Sequence, residues 1–292
     1  IGADMLSLSR NLDLQEVLSN ALQGKQGERI IELHGGSYQI DANPITSENL
    51  VKGAALFFFN VTEKEKAEQI RREFTANVSH ELKTPLHSIS GYAELLKNDM
   101  VKEADKVPFA EKIYEEAQRM IRLVEDIISL SHLDEDARDM QREDIDLYAL
   151  AGKAIQGLES EAHAACITLE LSGAPAILNG IPGLLYSLIY NLCDNAIKYN
   201  TKNGSVRVNI RNAGTAVILS VQDTGIGIAP EHQERVFERF YRVDKSHSKA
   251  VGGTGLGLSI VKHAAKIHNA KVEVESAVGK GTTILVTLPA FH

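Results

Sequence analysis

A histidine, a glutamate and a threonine fall close together in the run Phe74-Thr-Ala-Asn-Val-Ser-His80-Glu81-Leu-Lys-Thr84-Pro85-Leu86. Neutral imidazole is a nucleophile near physiological pH. Once one ring nitrogen attacks phosphorus, the proton on the other needs an acceptor, and Glu81 is the nearest in sequence. Thr84 lies one helical turn beyond His80, where its hydroxyl can position a water for the reverse hydrolysis. Pro85 donates no N–H and crowds the carbonyl of Glu81, so a helix through this run should bend just past the histidine. Such a layout suits an imidazole that accepts a phosphoryl group.

Four patterns in the second half of the chain converge on a nucleotide. In Asn191-Leu-Cys-Asp-Asn195-Ala-Ile-Lys198-Tyr199, the residues Asn191, Asn195 and Lys198 share one helical face. Amide oxygens are hard ligands that suit Mg²⁺, and an ammonium meets phosphate as a point charge. Asp223-Thr-Gly225-Ile-Gly227, at a strand end, offers a carboxylate for an exocyclic amine and glycines that let a ligand approach the backbone. Phe237-Glu-Arg-Phe240-Tyr-Arg242 is aromatic and basic and leads into the polar stretch 244–249. Gly252-Gly253-Thr-Gly255-Leu-Gly257-Leu258 is a glycine loop opening into a helix, whose first backbone N–H groups favour phosphate. Two rival nucleotide readings fail on spacing. Gly279-Lys280-Gly281-Thr282 lacks the earlier glycine and the Lys-Ser/Thr step of a P-loop, and the 253–257 loop follows a polar segment where a dinucleotide fold needs a strand.

The elements that must position these groups follow from periodicity. Phe74, Val78, Leu82, Leu86 and Ile89 share one helical face, which puts His80 on the opposite, wet side. A continuous helix is predicted over 63–98 and a second over 107–133, where Ile113, Ala117, Met120, Val124 and Ile127 form a stripe widened by Tyr114, Ile121 and Ile128. Two helices joined by a short loop are half of a four-helix bundle, so the stripe predicts a homodimer. Upstream, a helix at 12–22 precedes strands at 29–34, 37–43 and 50–60, with Gly35-Gly36 as the hairpin signal. Downstream, strands near 143–147, 167–171, 205–211, 216–223, 271–276 and 282–288 alternate with helices near 148–165, 182–199 and 255–268. That alternation predicts an α/β sandwich. Asn179-Gly180-Ile181-Pro182 reads as a helix cap with proline in the first turn.

Composition bounds the partners. The 292 residues carry a net charge of -8 and 24% charged side chains with no basic patch, which excludes a nucleic-acid surface. Cys166 and Cys193 have neither metal-ligand nor CxxC spacing and read as buried reduced thiols. No apolar run reaches the roughly 20 residues of a membrane span. Because the chain opens with Ile1, it is expected to be part of something longer, with any membrane anchor upstream.

Taken with the His80-Glu81 run, these boxes make residues 63–288 resemble sensor histidine kinases of two-component systems, of the HisKA class. The resemblance implies an α+β multidomain chain over three regions. The helical-hairpin dimerisation and phosphotransfer domain would occupy 62–136 and a catalytic sandwich of the gyrase and histidine-kinase ATPase type 140–292. Separately, the helix and three strands of 1–61, leaving through Asn60-Val61-Thr62-Glu63, resemble the C-terminal half of a PAS sensor domain and would form a partial PAS-like sensor segment. The histidine-kinase resemblance implies ATP and Mg²⁺ as cofactors. His80 would accept the γ-phosphoryl group with Glu81 as its base, and Thr84 would serve phosphatase activity. Asn195, helped by Asn191, would hold Mg²⁺; Lys198 would meet phosphate, and Asp223 would read adenine beside Tyr199. Gly225, Gly227, Phe240, Gly253, Gly255, Gly257 and Leu258 would complete the nucleotide site, under a lid over 237–253 in which Arg242 contacts phosphate. The implied partner is a response-regulator receiver domain, and the catalytic domain would swing on a segment around 133–142.

Overall fold

The computed structural model describes residues 11–33, 35–48, 50–135, 140–243 and 253–290, with backbone only for 131–135. The polar stretch 244–249, Gly252 and part of the expected hinge lie outside the described residues. The chain divides into two compact units, Ile1–Val78 and Ser79–His292.

In the first unit, helix α1 (Leu12–Leu22) begins where Asn11 Oδ1 accepts the backbone N–H of Leu14 at 3.1 Å. Strands β1 (Gly27–Leu33), β2 (Gly36–Ser47) and β3 (Leu50–Asn60) form an antiparallel sheet in sequence order. The Gly35-Gly36 turn pairs Leu33 with Gly36. Leu14, Val17 and Ala21 of α1 pack on Ile31, Ile40 and Ala42, so one face of the sheet has its partner.

Helix α2 (Thr62–Lys97) begins in the first unit and continues into the second, with a buried Pro85 inside it. Within the second unit, a 3₁₀ turn (Glu103–Asp105) leads to α3 (Lys106–Glu135). On α3, Val107, Tyr114, Ile121 and Ile128 recur every seven residues and all are exposed, between 49% and 66%. No described helix is long and apolar enough to cross a membrane.

The rest of the second unit is a two-layer α/β sandwich. Its sheet runs β5 (Thr168–Gly173), β7 (Ser205–Asn212), β8 (Ala216–Asp223), β10 (Thr282–Pro289), β9 (Lys271–Ser276), parallel only between β5 and β7. Alternate residues turn inward, Val206, Val208 and Ile210 on β7 and Ile284, Val286 and Leu288 on β10. They meet helices α4 (Leu147–Gln156), α6 (Pro182–Lys198) and α8 (Gly257–Ile267), the last two separated in sequence by the short α7 (Pro230–Gln233). Strand β4 (Glu143–Asp146) pairs antiparallel with β6 (Ile177–Gly180) beside this sheet.

Three local expectations are corrected. The single helix expected over 148–165 is two, α4 and α5 (Glu159–Ala164), because the chain bends after Gly157 to bury Leu158. Asn179 does not cap α6: it lies in β6, where its side-chain amide donates to Asp144 at 3.2 Å. Pro182 takes the first helical position as expected, but the N–H of Ile181 is received by the buried ring of His268, at 2.9 Å. Cys193 is buried, whereas Cys166 is exposed in the turn after α5 at a φ of 58°.

Candidate functional site

His80 projects from α2 into solvent. One turn on, Thr84 Oγ1 donates to the backbone carbonyl of His80 at 3.2 Å, which anchors the hydroxyl on that turn and leaves its lone pairs as acceptors. Glu81 is drawn toward two cations. Its Oε2 lies 3.6 Å from Arg119 of α3 and 3.6 Å from Arg242 of the segment following Phe240. Arg119 also faces Glu116, at 3.9 Å.

The nucleotide constellation is assembled on α6, whose buried Leu185, Leu188, Ile189, Leu192, Cys193, Ala196 and Ile197 turn Asn191, Asn195 and Lys198 to the other side. Asn191 Nδ2 donates to the Ser187 carbonyl at 2.8 Å, and Asn195 Nδ2 to the Asn191 carbonyl at 2.9 Å. Both amide nitrogens are thus spent on the preceding turn, which leaves both amide oxygens to act as hard ligands. Among the described residues there is no cluster of three His, Cys, Asp or Glu side chains able to hold a metal. A Mg²⁺ held by amide oxygen here would draw its remaining ligands from water and phosphate, the habit of this ion. Lys198 is paired with Asp194 at 2.6 Å.

Gly257, at the start of α8, comes so close to this face that a Cβ there would stand 2.8 Å from Asn191 Oδ1 and 3.2 Å from Asn195 Nδ2. Leu258 packs against the core beside it. Asp223 closes β8, and its Oδ1 accepts the N–H of Gly225 at 2.7 Å and of Thr282 at 3.1 Å. Burial pushes the Asp223 carboxyl up, and these two bonds oppose the shift. Gly227 takes a φ of 70°, with no room for a Cβ against the carbonyl of Ala277.

Tyr199 ends α6, and its carbonyl receives the N–H of Ile226 at 3.1 Å, which binds the end of the helix to the Gly225–Gly227 loop. Burial raises its phenol and the nearby Arg242 lowers it. The N–H of Phe240, at a φ of 63°, donates to the carbonyl of Gly255 at 2.8 Å. Arg242 bonds the carbonyl of Gly253. Burial pulls its guanidinium below the usual value, and Glu81 opposes this. The aromatic-basic segment and the glycine loop, read separately in sequence, are therefore tied to one another and to Glu81.

Sequence reasoning missed two contacts. Thr254, inside the glycine loop, donates to Asp126 of α3 at 2.7 Å, and Arg119 reaches Glu81. Both α3 residues read as ordinary helix-surface charges, and only the fold brings partners to them.

Residues 70–136 match the family described as His Kinase A (phospho-acceptor) domain. Residues 180–292 match the family described as Histidine kinase-, DNA gyrase B-, and HSP90-like ATPase. The chain is 37% identical over 280 residues to the sensor-like histidine kinase SenX3 of Mycobacterium tuberculosis, spanning 95% of this chain and 67% of that protein. Among solved structures, full-length ShkA in complex with AMPPNP is similar, with a TM-score of 0.55 and 26% identity over 76% of this chain and 45% of that one. Histidine kinase ThkA in complex with the response regulator TrrA shares the fold, with a TM-score of 0.61 and 20% identity over 96% of this chain and 85% of that one.

Proposed function

This chain belongs to the sensor histidine kinase family and is an ATP-dependent protein-histidine kinase; from that premise we propose that His80 is its phosphoacceptor and Glu81 the base. One imidazole nitrogen attacks the γ-phosphorus, the bond to the bridging β–γ oxygen breaks, and ADP leaves. The N–H on the other ring nitrogen passes its proton to the Glu81 carboxylate. The observation that carries this reading is the 3.6 Å approach of Arg242, tied to the glycine loop, to Glu81 beside the exposed His80. Phosphoryl transfer is mostly positioning and charge neutralisation, which is what such a cation supplies.

Asn195, with Asn191, would hold Mg²⁺, whose charge neutralises phosphate; Lys198 and Arg242 add cations, and Asp223 accepts the adenine amine. Because Arg242 meets Glu81, and Thr254 meets Asp126, inside one chain, transfer within a protomer is the favoured route. The seven-residue stripe from Val107 to Ile128 supports a second copy as bundle partner. Thr84 would orient water for phosphatase activity. The receiver domain of a response regulator would dock below His80, at exposed Leu86 and Ser90.

The domain limits proposed are 1–61, 62–136 and 140–292, with 1–61 a partial PAS-like segment on the strength of its helix and three antiparallel strands. Membrane attachment would reside in a region beyond this chain, which spans 67% of its SenX3 relative. Incubation with γ-labelled ATP and Mg²⁺ tests the central reading. The label should be lost in acid and kept in base, and His80→Gln should abolish it; a His80→Gln protein that still carries label refutes the assignment.

A further inference from the structure

Glu81 Oε2 is shared by two guanidiniums of different kinds. Arg242 belongs to the nucleotide half, where on the proposed reading its alternative partner would be phosphate. Arg119 belongs to α3, the neighbour of α2 in the hairpin, and is only 14% exposed. It is braced from behind: Glu116, one turn earlier on α3, faces it at 3.9 Å, and Glu116 Oε2 is buried with no hydrogen-bond partner. A buried carboxylate oxygen without a donor is costly unless a cation answers it, and Arg119 is that cation. The distances of 3.6 and 3.9 Å are those of ion pairs, longer than hydrogen bonds, so the line Glu116, Arg119, Glu81 can tighten without rearranging the helices.

We propose that Arg119 is a positioning residue for phosphoryl transfer, holding the Glu81 carboxylate toward the His80 ring when Arg242 turns from Glu81 to the nucleotide phosphates, with Glu116 fixing Arg119. The inference rests on the reading of Glu81 as base. A planar guanidinium keeps its charge and presents several donors in a fixed fork, so it fixes the orientation of a carboxylate as well as its charge. Arg119 itself touches neither ATP nor the imidazole; its effect passes through Glu81. Its loss should therefore slow the chemical step and leave nucleotide binding alone.

The test is single-turnover autophosphorylation of the full chain across a range of ATP concentrations, with circular dichroism and light scattering to verify folding and dimerisation. Arg119→Gln is expected to lower the maximal rate by at least about tenfold while the ATP concentration for half-maximal rate stays within about twofold. Arg119→Lys, which keeps the charge, should recover part of the rate, and Glu116→Gln should show a smaller loss of the same kind. A double-mutant cycle isolates the route: Glu81→Gln with Arg119→Gln should be no slower than Glu81→Gln alone. A full-rate Arg119→Gln protein, a loss confined to ATP affinity, or a double variant slowed by the product of the two factors overturns the inference. If Glu81→Gln keeps the wild-type rate, the base reading itself fails and takes this inference with it.

Discussion

The hydroxyl of Thr254 donates to the carboxylate of Asp126 at 2.7 Å, a bond that joins the glycine loop to the second bundle helix of the same chain. Burial pushes the Asp126 carboxyl up; the Thr254 bond and the charge of Lys198 pull it back, while Asp194 and Glu125 add to the rise. A carboxylate in that position needs its donor, so the contact holds the loop against its own α3. Together with the Arg242 to Glu81 pair, it keeps the nucleotide half beside the histidine of one protomer.

Mixed dimers should show the consequence. With His80→Gln on one protomer and Asn195→Ala on the other, neither protomer has both an intact histidine and an intact nucleotide site. Transfer within a protomer predicts no label on either chain, whereas label on the His80 of the Asn195→Ala protomer would establish transfer between them.

Asn195→Ala alone should abolish magnesium-dependent autophosphorylation in a protein that stays folded and dimeric. The side chain is half-buried, and its amide nitrogen bonds the preceding turn, so truncation removes the proposed ligand oxygen without opening a core cavity. Titration calorimetry with an ATP analogue and Mg²⁺ reads the metal-dependent part of binding, and an unchanged magnesium dependence would move the ligand role elsewhere.

Thr84→Ala is expected to spare the kinase step, since the hydroxyl is tethered to the His80 carbonyl and takes no part in the forward displacement. Removal of phosphate from the cognate regulator should slow by at least about tenfold. Dephosphorylation at the wild-type rate would dismiss the role.

His268 should make the catalytic half sensitive to acid. Its Nδ1–H donates to the Ala264 carbonyl at 2.8 Å and its Nε2 accepts the Ile181 N–H at 2.9 Å, an arrangement that needs the neutral ring. Burial holds its folded value below the ordinary 6.5, and Arg142 adds to the effect. The stability it contributes is therefore complete above the unfolded value and is lost as pH falls from there through the folded value. Urea unfolding at about pH 7.5 and about pH 5.5 should show that loss, and His268→Ala should both flatten it and cost about 1–3 kcal/mol at the higher pH through the orphaned N–H. An identical pH slope in the variant would count against this account.

Thiol labelling separates the two cysteines. Burial, with the charge of Asp194, pushes the Cys193 thiol up to about 12, while Cys166 is exposed. Native protein should take one label, at Cys166, and denatured protein two. Rapid native modification of Cys193 would contradict its place in the core.

Much of this molecule was legible before any fold was known. Helix α1 falls at 12–22 and strand β3 at 50–60, as the local pattern predicts, because caps, turns and hydrophobic period act over a few residues. The exposure of His80 followed from its angle to Val78 and Leu82 on one helix. Strand β6 was missed because Ile177–Gly180 is too short to carry a period, and it is a strand only because β4 lies beside it. The run Asn179-Gly180-Ile181-Pro182 reads locally as the cap of α6, but the side chain that receives the Ile181 N–H there is His268, eighty-seven positions from Ile181.

The sequence by itself determined which candidate groups lie near one another along single elements: an imidazole with a neighbouring carboxylate and hydroxyl, amides on one helical face, a carboxylate at a strand end and a glycine loop. Those follow from residue type and spacing within single elements, where covalent geometry sets direction. Only the tertiary structure decided that Arg119 and Arg242 share Glu81, that Thr254 meets Asp126, and that Gly257 lies against Asn191 and Asn195. A charge on a helix surface has the same local signature whether it faces water or a partner. The choice is made by packing between elements distant in the chain, which brings opposite charges within a few ångströms and removes the water that would otherwise screen them.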